Sequence, residues 1–230
     1  MNLKDLMGFL FSATLLLPIL LIIVLRIYRL KCFLALGIYY MLGFLDAMVS
    51  QKYIPVSEDI IRIIGVTINL LDVPLMLTFL IYFSPAPQMT KRIRYVILIF
   101  IAFEIIVTSI TGYNRNALSI IIGPGLAVIL FLCAWFFVRH IKIAIAHGKA
   151  IGKALITSSF LFVFGCYSFI YVMHYLLRMP NTTDMYLMYL ISSVLSVIVV
   201  AAGIMIENKR IRKLKELLVT RKELNMIYKK

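Results

Sequence analysis

Acidic residues and histidines are scarce in this chain. Its 230 residues hold 10 Asp and Glu against 24 Lys and Arg, a formal net charge of +14. The three histidines, His140, His147 and His174, form no His-x-x-x-His pair. A helix needs that spacing to aim two imidazoles at one zinc ion, so membrane zinc hydrolases of the ceramidase and metalloprotease types are disfavoured. A Gly-x-Ser-x-Gly nucleophile elbow is absent as well. The three cysteines, Cys32, Cys133 and Cys166, fall in or beside apolar runs. Their spacing suits neither a zinc site nor a disulfide framework, and they read as small core residues. No cofactor is expected.

Apolar residues dominate instead. They make up 63% of the chain, where a soluble domain has about half, and the mean hydropathy is +1.00. Seven segments come close to the roughly 20 residues that cross a hydrocarbon core. They run over Leu6–Leu25, Cys32–Ser50, Ile60–Phe83, Ile93–Thr111, Leu118–Val138, Ala154–Leu177 and Met185–Ile206. The expected fold is therefore all-α, a polytopic seven-transmembrane helix bundle over residues 1–206, followed by a basic helical tail over 207–230. Lys4 before an apolar run imitates a signal peptide. No small-residue cleavage site follows, so the segment reads as an uncleaved first helix.

The basic residues alternate with the connections. Arg26, Arg29 and Lys31 follow the first segment; Lys91, Arg92 and Arg94 follow the third; Arg139, Lys142, Lys149 and Lys153 follow the fifth; nine more lie beyond the seventh. The opposite connections hold only Lys4, Lys52, Arg62, Arg115 and Arg178. This partition is the positive-inside pattern for an odd number of spans, with the N-terminus outside and the C-terminus cytoplasmic. It also removes the nucleic-acid reading that a charge of +14 invites, because the cations are sorted by side of the membrane and form no groove. The outer connections are short. Ser57 before Glu58 and Asp59 reads as a cap for the third helix, Gly112 to Asn116 as a tight turn, and Asn181-Thr182-Thr183 matches a glycosylation sequon. A folded outer ligand-binding domain is excluded. Tyr28, Tyr53, Tyr82, Tyr95, Tyr113, Trp135 and Tyr186 read mostly as interfacial anchors.

Polar residues inside the spans single out a site. The central stretch is Asn69-Leu70-Leu71-Asp72-Val73-Pro74. An Asp at the centre of a membrane helix costs about 2.5–3.5 kcal/mol on insertion scales, and is tolerated when it faces a bundle interior. Asp72 lies about 18 Å below the outer end of its helix and Glu104 about 16 Å from the inner end of the next. Asp46 and His174 lie within about two turns of the outer face. With Asn69, Ser192 and Ser193 they form an expected polar column for a ligand, ion or proton. Alternatively, Asp46 and His174 simply reach the interface, and Asp72 and Glu104 are neutral acids bonded to Ser, Tyr or backbone. Hinge candidates are Pro74, which removes a helix donor, and Gly123-Pro124-Gly125, expected to loosen or bend the fifth helix. The stripe Tyr189, Ser192, Ser193, Ser196, Val200 and Gly203 lets the seventh helix approach a neighbour closely. That helix contains no Lys, so a retinal Schiff base of the rhodopsin kind cannot form there. Pro87-Gln88 matches the dipeptide of PQ-loop transporters but is expected in a loop.

Beyond Ile206 the chain has no Gly or Pro, and Ile211, Leu214, Leu217, Leu218, Leu224 and Ile227 form an imperfect apolar stripe among cations. It is too short for a coiled coil. A stalk for a partner, a helix on anionic lipid, or a stop-transfer cluster all fit. Seven short-looped helices, N-terminus out, with the last running into a charged helix, resemble the seven-helix sensor modules that precede histidine-kinase or transcription-factor domains in bacterial membrane regulators. The resemblance is one of topology and carries no motif. It implies a sensor or receptor in the cell membrane (inner or plasma membrane) that relays through the seventh helix and tail to a separate cytoplasmic signalling protein. A small-solute or proton/cation transporter using the same carboxylates, and a lipid-acting intramembrane enzyme, are the alternatives.

Overall fold

A computed structural model describes residues 3–51, 53–84, 86–177 and 183–227, with side chains left undescribed at 3–5, 115, 183, 215 and 222–227. The sequon at Asn181 lies outside the described residues, and of the tail stripe Leu224 and Ile227 are described as backbone only. Among the described residues there is no strand. The helices are α1 (Leu3–Val24), α2 (Lys31–Ser50), α3 (Glu58–Leu80), α4 (Pro87–Thr111), α5 (Arg115–His147), α6 (Ile151–Tyr171) and α7 (Thr183–Ile227). All seven are long and apolar enough to cross a membrane. The chain is an all-α, multi-pass membrane protein.

Lipid offers backbone groups no partners, so the connections between spans must be brief and internally bonded. Short 3₁₀ turns at Ile27–Arg29 and Ile81–Phe83 and left-handed residues at Arg26, Gly148 and Ala150 make them so. Asn114 caps α5 by accepting from the N–H groups of Asn116 and Ala117 at 3.0 and 3.1 Å. Ser57 holds the expected N-cap position of α3, but its hydroxyl makes no capping bond. Instead the first turn carries Glu58 and Asp59, and Asp59 pairs with Arg62 at 2.9 Å. Pro87 opens α4 rather than lying in a loop, a place where its missing N–H removes no bond. α6 ends in a π-helical turn, Val172–Leu176.

Six helices close a ring in the order α1, α2, α3, α5, α6, α7, with α7 packed back on α1. α4 stands outside it, against α3 and α5, and shows Leu98, Ile99, Ile106 and Ile110 on its exposed side. In lipid such a ring is held by close packing rather than by exclusion of water. Gly203 and Gly152 mark the tightest crossing, between α7 and α6. A Cβ on Gly152 would lie 2.8 Å from both Glu207 N and Gly203 O, and one on Gly203 would lie 2.6 Å from Ile156 Cγ1. The small stripe expected on the seventh helix therefore has its partner. Ser196 and Ser159 also meet across this seam at 2.7 Å.

The ring has two ends. At the basic end, where α1, α3 and α5 finish, it is solid. Phe33, Phe79, Phe83 and Phe136 are fully buried, with Phe79 edge-on to Phe33 and Phe83 at centroid distances of 5.5 and 5.3 Å. Leu36, Met76, Leu77 and Leu80 fill the gaps. At the N-terminal end, where those helices begin, the ring encloses space.

Candidate functional site

That space is a cavity of about 300 Å³ reached by all six ring helices and by none of α4. α2 contributes Asp46 and α3 contributes Asn69 and Asp72, on one face because 69 and 72 are a helical turn apart. Asn69 Nδ2 donates to the Gly65 carbonyl at 2.7 Å, and Gly65 itself lies against Asp46, whose Oδ1 would be 4.0 Å from a Cβ placed there. Among the described residues neither Asp46 nor Asp72 has a hydrogen-bond or ion-pair partner. Asp72 sits near the middle of α3, so the surface it retains is cavity surface.

Tyrosines form most of the remaining polar wall: Tyr39 and Tyr40 from α2, Tyr167 and Tyr171 from α6, Tyr175 from the π turn, and Tyr189 from α7. Tyr167 and Tyr189 stack with centroids 5.0 Å apart, and the Tyr167 hydroxyl meets Ser193 Oγ at 2.7 Å. Ser193 also donates to the Tyr189 carbonyl at 2.6 Å. Tyr171 donates to the Ser119 carbonyl of α5 at 2.7 Å. Its ring crosses α5 at Gly123, where a Cβ would come within 2.6 Å of the hydroxyl. Gly125 makes the matching approach to α3: a Cβ there would lie 2.6 Å from Val73 Cγ2, between Asp72 and Pro74.

The expected site residues separate into three groups. Asp46, Asn69, Asp72 and Ser193 share the cavity. Ser192 and His174 lie beside it: Ser192 is buried and bonded to the Tyr189 carbonyl at 3.0 Å, and the His174 ring packs edge-on to Tyr175 at 4.7 Å, its buried Nδ1 without a partner among the described residues. Glu104 is elsewhere. It lines a separate recess between α3 and α4 with Leu70, Ile105, Thr108 and Ser109, and its Oε1 is buried with no partner among the described residues. The polar column thus loses Glu104, because α4 is displaced from the ring. Among the hinge candidates, Pro74 and Pro124 both sit inside unbroken helices, and the two glycines serve as contact points for neighbouring helices. α5 continues through Gly123-Pro124-Gly125 instead of opening there.

A second polar cluster closes the basic end. Glu207 is fully buried and accepts from the Tyr82 hydroxyl at 2.5 Å and from Arg210 Nε and Nη2 at 3.0 and 2.5 Å. Lys153 donates to the Tyr82 carbonyl at 3.3 Å and stands 4.4 Å over the Tyr82 ring. Tyr82 is therefore part of the bundle's closure rather than an interfacial anchor; the other six aromatic residues read as anchors are exposed. α7 shows no break at the expected boundary after Ile206, and Glu207 and Asn208 still belong to the buried bundle. Beyond them Leu214, Leu217 and Leu218 are exposed.

The cavity tyrosines were missed in the sequence, although Tyr189 was drawn into the small-residue stripe. A signal was present: 39, 40, 167, 171, 175 and 189 all fall within two or three turns of the predicted outer ends or in mid-span, and 167, 171 and 175 repeat at i, i+4, i+8 on one face. Among the described residues no group of three His, Cys, Asp or Glu is gathered for a metal ion. No family model, curated protein or solved structure matches this chain.

Proposed function

We propose that the protein is a receptor or sensor of the cell membrane that binds a small molecule inside the six-helix ring and relays occupancy along α7. The observation that carries this reading is the cavity itself. A hollow of ligand size, with two carboxylates that have no partner among the described residues, is costly to keep inside a membrane protein unless something fills it. The same helix touches both ends of the proposed relay. α7 gives Tyr189, Ser193 and Ser196 to the cavity, Glu207 to the closure at the basic end, and then the cationic stretch that begins at Lys209. A shift of α7 on ligand binding is passed to the tail as a rigid displacement, because the helix is continuous over Thr183–Ile227.

In this reading the basic end faces the cytoplasm, in keeping with the sorted cations. The ligand arrives at the N-terminal end, where Asp46 and Tyr175 stand. The aromatic layer around Phe79 supports a receptor over a carrier, since a through-path would have to part fully buried rings. The tail then meets a cytoplasmic signalling protein or the anionic inner leaflet.

Native mass spectrometry of protein extracted in mild detergent from its own membranes tests the reading. The expected result is a retained small molecule in the wild type that is lost when Ser193→Phe and Ser196→Phe fill the cavity. A spectrum with no bound small mass, together with a bound protein partner that both cavity variants retain, overturns it in favour of an accessory subunit.

A further inference from the structure

The charge of the cavity is opposite to that of the chain. The protein carries a formal net charge of +14, yet among the described residues the cavity wall holds Asp46 and Asp72 and no Lys, Arg or His. Lys153 and Arg210 at the basic end are already engaged with Tyr82 and Glu207, and Arg62 at the start of α3 pairs with Asp59. Nothing described neutralises the two aspartates from inside the ring. A positively charged ligand would supply the partner that the described residues do not.

The rest of the wall narrows the chemistry. Aromatic rings present a negative face to a cation, and the cavity has six tyrosines arranged in three close pairs: Tyr167 with Tyr189, Tyr39 with Tyr40 at 5.3 Å, and Tyr171 with Tyr175 at 5.2 Å. The hydroxyls of Tyr167 and Tyr171 are fixed by Ser193 and the Ser119 carbonyl, so these rings are held in place before any ligand arrives. A bare metal cation is poorly served here. Hard cations take six or more oxygens, whereas aliphatic side chains such as Leu126, Ile129 and Val163 fill much of this wall. A volume of about 300 Å³ is at the small end for ligand pockets, which excludes peptides and whole lipids.

We infer that the cavity binds an organic ammonium compound, a small amine or quaternary ammonium on an apolar or aromatic body. The ammonium group sits among the tyrosine rings against Asp72, with Asn69 one turn away and Asp46 nearer the N-terminal end. The apolar body lies toward Leu126, Ile129 and Val163. This inference rests on the ligand-binding reading above and adds the sign of the ligand's charge.

Matched probes separate the two. Full-length protein in mild detergent is dialysed to equilibrium against choline and its uncharged isostere 3,3-dimethylbutan-1-ol, and against phenethylamine and 2-phenylethanol. The expected result is that at least one ammonium probe binds at least tenfold more tightly than its neutral twin. Asp72→Asn, which keeps the side-chain shape, erases that preference without changing the affinity of the twin. Tyr189→Leu weakens the ammonium probe about tenfold, whereas Tyr189→Phe, which keeps the ring, retains it. Glu104→Gln, outside the cavity, leaves all four affinities unchanged. Neutral twins that bind as well as the amines overturn the charge inference and leave the cavity as a ligand site. Binding by none of the four also overturns the inference, and native mass spectrometry then decides the wider reading on its own.

Discussion

At Phe79 the six-helix ring is filled with aromatic side chains; at Asp72, two turns earlier on the same helix, it is hollow. The two levels share the same six helices, so most of the difference lies in side chains, with the π turn of Val172–Leu176 at the hollow end. At the basic end large rings are fully buried and two buried ionisable groups are paired: Glu207 accepts from Tyr82 and Arg210, and His140 Nδ1 donates to the Phe136 carbonyl at 2.6 Å. At the N-terminal end the carboxylates of Asp46 and Asp72 have no partner among the described residues, and an unfilled volume persists. One half is built for stability and the other gives some of it up. That division is what a binding module needs, because a ligand gains most where the apoprotein has left interactions unmade.

If the division is real, substitutions at the two levels must differ in what they cost. The largest loss is expected at the solid end. Phe79→Ala removes a ring that contacts Phe33, Phe83 and Phe160 and leaves a void in their place. A loss of about 3–5 kcal/mol is expected. It is read from the unfolding midpoint in a detergent titration. A cost below about 1 kcal/mol would mean that the aromatic layer is loosely packed, and the contrast between the ends would fail.

Next in size is the α6–α7 crossing. Gly152→Ala drives a methyl to 2.8 Å from backbone atoms of Gly203 and Glu207, which cannot rotate away. A cost of about 1–3 kcal/mol follows, as for other overpacked sites. Gly165→Ala on the same helix is the control, since nothing lies within 4 Å of its Cβ, and it should leave the midpoint within about 0.5 kcal/mol. Equal losses at both positions would show that helix propensity or insertion, and not the close crossing, sets the effect.

Glu207→Gln is expected to cost less, about 1–2 kcal/mol, because the amide keeps one bond to Tyr82 while the charge-assisted bonds to Arg210 weaken. Its signature is local. Amide exchange should quicken over residues 208–220 of α7, just beyond the closure, and stay slow around Phe79. Uniform quickening along the bundle would assign Glu207 to general stability and remove it from the proposed relay.

How far these levels were legible in the sequence follows from what each signal measures. The seven spans were plain because length and apolarity are local properties, and the structure agrees with each segment apart from helical extensions such as Pro87–Arg92 and Arg139–His147. The polar stretch at Asn69 and Asp72 was legible because a carboxylate in an apolar run has few tolerable places. Glu104 gives the same local signal and yet stands outside the ring. Depth along a helix can be read from residue number, but which helix is left out of the ring depends on contacts between distant segments. The tyrosine wall was hidden for a related reason: near a span end a tyrosine suits the interface and the interior equally well. Glu207 looked like the first residue of a charged tail, and only its meeting with Tyr82, 125 residues away, places it in the bundle.

The smallest effect on stability is expected at the hollow end, and it tests the comparison most directly. Asp72→Asn should leave the unfolding midpoint within about 0.5 kcal/mol or raise it. The reason is an absence of partners: among the described residues no donor serves the Asp72 carboxylate, so replacing it breaks no bond, while removal of an ionisable group from mid-membrane relieves a cost. Glu207 is the reference, a carboxylate on the same bundle whose partners are in place. A loss above about 2 kcal/mol for Asp72→Asn would be the cost of breaking a satisfied buried polar group. Asp72 would then be part of the scaffold, as Glu207 is, and the N-terminal half would owe its polar residues to folding. An unchanged or higher midpoint, combined with loss of the bound molecule, would show a residue kept at the expense of stability for what it holds.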